Sequence, residues 1–316
     1  MFIRLFITCI GLLSTITIIH AQQASANYEV EIRNDNDMYL FILQDQYYTN
    51  GLFLNLRKSF ESSRLGPREK NRLMELEVGH EMYNSYTAQI DSIQAVDRPI
   101  AGYLYASARM HHHYQRENYL SYSLAIGTIG KRAAGKELQA GLHNLLNMYH
   151  AAGWEYQLNN AWSIDAGIIH NKLIGRTSNH ILDMSIQSSA KLGLLHAHVN
   201  SGPLFRIGQL LPFDQSAHFG ARLQASGDQP EKEWYLFYRP EVSAVFYDGT
   251  LQGGLLQKEK GPVTAEPKTW QISNNFGFVM AQRAVTAKIQ YFFNTKESDQ
   301  SIFRHQYGSV SLAYRF

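Results

Sequence analysis

Cysteine is nearly missing from this 316-residue chain: the one present, Cys9, lies within residues 1–21. A chain that keeps no cysteine beyond that segment has no disulfide framework, so its stability must come from other interactions. Net charge is also scarce. With 29 Lys and Arg against 27 Asp and Glu, the formal charge of +2 excludes the strongly basic balance of a nucleic-acid binder. Charged residues make up only 18% against 45% hydrophobic, which excludes a disordered chain. Beyond residue 21, no apolar run reaches the roughly 18 residues that a membrane helix requires.

Residues 1–21 read as a signal peptide. Arg4 supplies the positive start, Leu5 to Ile19 the apolar stretch, and Ile19-His20-Ala21 a cleavage site before Gln22. The rival is a retained membrane anchor, against which stand the short run and the polar sequence directly after it. Cys9 lacks the small-residue setting of a lipoprotein site. The expected mature chain, 22–316, is then one cysteine-free domain.

What is present is alternation. Val285, Ala287, Ile289, Tyr291 and Phe293 point one way, with Thr286, Lys288 and Gln290 between them. Val310, Leu312, Tyr314 and Phe316 repeat the pattern at the C-terminus, as do Leu120, Tyr122, Leu124 and Ile126. A period of two means strands with one apolar and one polar face. Segments of about ten residues with aromatic residues near their ends suit an outer-membrane barrel better than a soluble sandwich. A closed barrel also pairs every backbone group in lipid and leaves no edge. The fold class expected is all-β, a 12-stranded antiparallel transmembrane β-barrel with a short helix in an extracellular loop.

The strands expected in the first half are Tyr28–Asn34, Asn50–Phe60, Arg72–Met82, Ile100–His111, Asn118–Gly127 and Trp154–Ile169. The second half gives Ile181–Leu194, His196–Gln209, Trp234–Tyr247, Thr269–Ala281, Ala284–Asn294 and His305–Phe316. Residues 210–233 are the weak point, because Phe219–Ala225 could form a further strand. Between strands five and six, Leu138, Leu142, Leu145 and Leu146 follow helical spacing over Ala133–Asn147, and Gln139 and His143 stack on one face of that helix.

With a periplasmic N-terminus, strand parity brings Asn34-Asp35, Thr49, Asp97-Arg98-Pro99 and the Gln139–His143 helix to the outer mouth. Asn50-Gly51 is good turn chemistry. Parity sends His111-His112-His113 to the periplasmic side, as rim polarity. Asp97-Arg98 reads as an ion pair supporting the mouth, with Asp248 in a similar part.

Six stretches occur in order: RNDND (Arg33 to Asp37), YYTNG (Tyr47 to Gly51), DRPIAGYLY (Asp97 to Tyr105), GTIGKRAAGKELQAGLH (Gly127 to His143), GWEYQL (Gly153 to Leu158) and YDGTLQGG (Tyr247 to Gly254). Together they resemble the outer-membrane lipid A 3′-O-deacylases over nearly the whole mature chain. The resemblance implies a twelve-stranded barrel with a calcium-dependent site at its outer mouth, acting on lipid A in lipopolysaccharide among outer-membrane lipids. It places the site residues at Asn34, Asp35, Thr49, Gln139 and His143. His143 would be the base that activates water. Asp35 would help hold Ca2+, which prefers oxygen ligands and polarises the ester carbonyl. Asn34, Thr49 and Gln139 would orient water and carbonyl.

Two departures from the family pattern bear on this. Gly130-Lys131 stands where Gly-Pro is usual. Tyr149 replaces an acid six positions after the histidine, with Asp37 and Glu137 as substitutes. Lys131, Arg132 and Lys136 at the helix start would attract a lipid A phosphate; the bland reading is a solvated helix end. The competing functions are an outer-membrane phospholipase-type serine hydrolase, which needs a Ser-His pair the chain does not show convincingly, and a non-catalytic pore or structural barrel.

Overall fold

The computed structural model describes residues 26–40, 45–223 and 232–316; the expected signal peptide and Cys9 lie outside them. Twelve strands follow in order: β1 Tyr28–Asn36, β2 Tyr48–Ser59, β3 Glu69–Tyr83, β4 Ala101–Tyr114, β5 Asn118–Ile129 and β6 Ala161–Arg176, then β7 Leu182–Gly193, β8 His196–Gln209, β9 Glu233–Asp248, β10 Trp270–Gln282, β11 Val285–Asn294 and β12 His305–Arg315. Each pairs antiparallel with its sequence neighbour, and β1 closes on β12. Both ends of the described chain therefore lie at one end of the cylinder. That end also carries tight turns at 115–117 and 283–284, the periplasmic signature; apart from the β8–β9 connection, which folds into the barrel, the long connections gather at the other end.

Alternation decides which way each side chain points. Along β2, Leu52, Leu54 and Leu56 are each about half exposed on the outside, while Phe53 and Asn55 are buried inside. The interior holds paired charges. Arg57 binds Glu29 at 2.6 Å, Glu31 at 2.5 Å and Glu75 at 2.5 Å, and Arg109 reaches Glu75 at 3.0 Å. Buried charges survive only when paired in this way, and removing one partner typically costs about 3–5 kcal/mol.

Two expectations are corrected. Strand six begins at Ala161, not Trp154; residues Trp154–Tyr156 form a 3-10 turn after Gly153 (φ 97°), because the Trp154 side chain is drawn under a helix. In the doubtful 210–233 stretch, the described part to Leu223 forms no strand. It makes a 3-10 turn at Ala217–Phe219, and of the Phe219–Ala225 stretch only Gln224 and Ala225 lie outside the described residues. Leu210, Phe213 and Phe219 fold inward against Leu204, Tyr235 and Val279. Arg206 ties this segment to the wall, binding Asp183 at 3.0 and 2.6 Å and donating to Ser216 at 2.8 Å.

The lumen is thus filled by ion pairs and, toward the periplasm, by an apolar plug. We expect the purified barrel in a planar bilayer to show no stable conductance above background; steps typical of a porin would contradict this packing.

Candidate active site

Some residues on the outer face of the wall are not exposed. His80, Met82, Asn50 and Gly102 alternate outward with the exposed Val78, Leu52 and Leu104, yet all four are buried. What covers His80, Met82 and Gly102 is the connection between β5 and β6. His80 Nε2 lies 2.7 Å from the Ala133 carbonyl oxygen. A Cβ on Gly102 would sit 3.1 Å from the Gly135 nitrogen, so glycine is what lets this connection lie against the wall. The helix that follows, α1 (Gly135–Leu146), therefore rests on the lipid side of the cylinder at its extracellular rim.

The helix turns an unusual face to the wall. Its buried residues are Gly135, Gln139 and His143, a stripe at four-residue spacing. Leu138 and Leu145, which by spacing alone would be core, point away at 48% and 78% exposure. An apolar face turned outward at the rim suits contact with the membrane interface.

Beneath the buried stripe lies a compact polar cluster centred on Asp45, just before β2. Its Oδ2 is 2.9 Å from His143 Nε2 and accepts from Gln139 Nε2 and the Tyr149 hydroxyl, each at 2.8 Å. Gln139 is fixed from its other end, since its Oε1 accepts the Trp154 indole N–H at 2.7 Å. That bond explains why residue 154 leaves the strand path. His143 Nδ1 lies 2.8 Å from the Tyr149 carbonyl oxygen.

Thr49 reaches this cluster through a bulge. The β2–β3 register steps from Tyr48↔Tyr83 to Asn50↔Met82, leaving Thr49 as the extra residue. Its hydroxyl donates to Asp37 Oδ2 at 3.2 Å and helps to hold the nearby Asp45 carboxyl low. Asp37 sits at the start of the 3-10 turn Asp37–Leu40 and accepts from the Gln46 amide at 2.7 Å; its Oδ1 is buried with no partner. The sharp reversal of the chain falls at Tyr47 (φ 54°), not at the expected Asn50-Gly51, which lie within β2.

The charges in this cluster oppose one another. Burial and the neighbouring Asp45 charge push the Asp37 carboxyl well above its ordinary range. Burial would also raise Asp45, but the hydrogen bonds from His143 and Tyr149 outweigh it and hold that carboxyl low. His143 is raised, chiefly by its bond to Asp45 and against burial. With acceptors facing both ring nitrogens, the imidazolium form is favoured in this arrangement.

Of the residues expected at the site, Thr49, Gln139 and His143 are brought together, while Asn34 and Asp35 are not. Asn34 faces outward, donating to the Gly51 carbonyl at 2.9 Å and accepting from the Tyr39 hydroxyl at 2.7 Å. Asp35 faces the lumen, where it accepts from the Tyr48 hydroxyl at 2.8 Å and lies 3.6 Å from Arg33. The acid that does meet the cluster is Asp37, two positions on. Asp45 was not anticipated. Its only signal is its place in the polar stretch that leads to Thr49.

Lys131, Arg132 and Lys136 are exposed at the helix start, with the Arg132 guanidinium 5.8 Å from the ring of the outward-facing Trp162. Asp97 and Arg98 do not pair with each other: Asp97 accepts from Ser85 and Tyr47, and Arg98 binds Glu297 at 2.8 Å. Asp248 caps the short helix α2 (Gly249–Gln252) through the Thr250 amide. The histidine run is periplasmic, with His113 held to the Phe219 carbonyl of the plug.

The sequence profile of outer membrane protein LpxR matches residues 5–316. The chain belongs to the LpxR family. This is the lipid A 3′-O-deacylase family, and it places the protein in the outer membrane. LpxR from Salmonella typhimurium has a similar fold, with a TM-score of 0.74 and 18% identity over 91% of this chain and all of that one. The β domain of the Bordetella autotransporter BrkA is a looser likeness, with a TM-score of 0.48 and 10% identity over 93% of this chain and 99% of that domain. No curated protein sequence matches the chain.

Proposed function

We propose that the chain hydrolyses the 3′-O-linked acyl ester of lipid A at the cluster beneath α1. One observation carries this reading: His143, Gln139, Asp45, Thr49 and Asp37 meet on the lipid side of the wall, at the extracellular rim. Lipid A resides in the outer leaflet. It could reach such a site by moving sideways in the membrane, with its ester at rim height and its chains in the bilayer.

The chemistry follows from the donors and acceptors present. Water entering between Asp45 and the ring breaks the bond that favours the imidazolium; in its neutral form His143 Nε2, the atom now facing Asp45, takes the proton of the attacking water, while the Tyr149 carbonyl holds Nδ1–H and fixes the ring. Gln139 and Thr49 orient water and carbonyl. Attack gives a tetrahedral intermediate, whose collapse releases the fatty acid, and the sugar oxygen leaves with a proton returned from His143.

The residues also fit a hard cation. Asp37, Asp45 and Thr49 offer only oxygen, one oxygen of Asp37 is buried and unpartnered, and two adjacent buried carboxylates repel each other. Among the described residues no cluster of three or more His, Cys, Asp or Glu side chains is assembled for a metal, so neutral oxygens must complete the shell. We assign the Ca2+ ligand role to Asp37 in place of Asp35, which is already paired with Arg33. When bound there, calcium supplies a positive centre for the developing oxyanion. Lys131, Arg132 and Lys136 lie on the same extracellular side and would take a lipid A phosphate.

The serine-hydrolase alternative finds no support: among the described residues no serine hydroxyl is bonded to a histidine ring. A pore is disfavoured by the plug. The test is mass spectrometry of lipid A incubated with the purified barrel, where loss of one 3′-O-linked acyl group is expected. Excess chelator should reduce the rate at least about 100-fold, the scale of losing one oxyanion stabiliser, and added Ca2+ should restore it. Full activity in chelator would remove calcium from the mechanism.

A further inference from the structure

A groove runs down the outer wall from the active-site cluster. Strand register sets its two banks. On the first, Asn36 pairs with Gly308, Gly308 with Tyr291, Tyr291 with Phe276, Phe276 with Tyr238 and Tyr238 with Phe205. The four rings at the end of that row lie near-parallel and stacked along it, with centroids 6.3, 4.5 and 6.4 Å apart and planes within 24°. On the second bank, Asn34 pairs with Val310, then Ile289, Phe278, Leu236 and Ile207 follow in the same way.

Between the banks lies a cavity of about 610 Å3, with Tyr39 and Leu40 at its head. Those two residues end the 3-10 turn that Asp37 begins, so the groove and the cluster share one short segment. Gly308 makes the join possible: a Cβ there would come within 2.7 Å of the Tyr39 Cβ. The groove also changes depth. Gly308 is near the extracellular end of β12, Phe276 midway along β10, and Phe205 near the periplasmic end of β8. It therefore descends from the rim into the hydrocarbon region.

We propose that this groove seats one saturated acyl chain of the lipid A molecule whose ester lies at the cluster, entering beneath Tyr39 and Leu40. The inference rests on the deacylase reading for the identity of that lipid. The lining is almost wholly apolar, the path runs from headgroup height to acyl depth, and its head is built from the active-site turn. On β2, by contrast, the outer wall carries the aliphatic residues Leu52, Leu54 and Leu56, each about half exposed. Seating one chain would fix which ester of a many-chained lipid reaches His143.

The experiment is native mass spectrometry of the purified full barrel with lipid A in detergent, comparing wild type with Ile289→Trp and Val310→Trp, which fill the groove. Leu124→Trp, on the outer face of β5, is the control. The wild type and the control should retain one lipid A, and both groove variants should lose at least tenfold in retention. Their KM for lipid A should rise by a similar factor, while a short-chain soluble ester is handled as by wild type. Unaltered retention in both groove variants, or a wild-type barrel that retains no lipid A, overturns the proposal. Retention that depends on the groove without any acyl release would uphold the groove and overturn the deacylase reading. Acyl release with wild-type KM in both groove variants would do the reverse.

Discussion

His143→Ala should abolish acyl release while leaving the barrel folded. The loss expected for removing a positioned general base is about 10²–10⁴-fold. The histidine lies in α1, outside the closed ring of strands, so every interstrand hydrogen bond is untouched. The variant also leaves Asp45 with two donors, Gln139 and Tyr149, so no buried carboxylate is stranded. Heat-modifiable migration on gels checks the fold, and lipid A mass spectrometry checks the chemistry. A variant that migrates as wild type and trims lipid A at the normal rate would remove His143 from its role.

The second large effect separates two neighbouring acids. Asp37→Asn should lower the rate by about 10²-fold or more, the scale of one oxyanion-stabilising group, and should weaken the response to calcium. Asn keeps the shape and an acceptor for the Gln46 amide but removes the charge that a cation would meet. Asp35→Asn should change the rate little. Its carboxylate faces the lumen beside Arg33 and the Tyr48 hydroxyl, so the cost falls on an internal ion pair instead. Equal losses in both variants would mean that the strand end is arranged differently during turnover. A loss confined to Asp35→Asn would return the metal role to that residue.

This pair of variants also shows where the sequence stops informing. In Arg33-Asn34-Asp35-Asn36-Asp37 an Asn-Asp pair occurs twice, two residues apart. A shift of two preserves which side of the wall each residue faces, so parity cannot choose between them. Only the end of β1 at Asn36 does, by releasing Asp37 from the sheet. The strands themselves were legible because lipid and lumen demand opposite side chains at alternate positions. Helix α1 was legible from its leucines, but its orientation was not. Burial in water would have turned Leu138 and Leu145 inward, whereas at a membrane rim the polar stripe can be the packed one. Asp45 had no periodic or motif signal, because a loop residue is recruited by tertiary proximity alone. The expected strand start at Trp154 fails because its indole N–H is taken by Gln139 beneath the helix, a contact that local sequence does not announce.

The placement of α1 against the side of the cylinder has a kinetic consequence. An enzyme fed from the leaflet experiences its substrate as a surface density, not as moles per litre. Diluting lipid A with inert detergent at constant total amount should slow turnover, while diluting the whole mixture with buffer should not. Comparisons of variants then belong on a mole-fraction scale, and tight packing of the leaflet itself becomes a brake on the reaction.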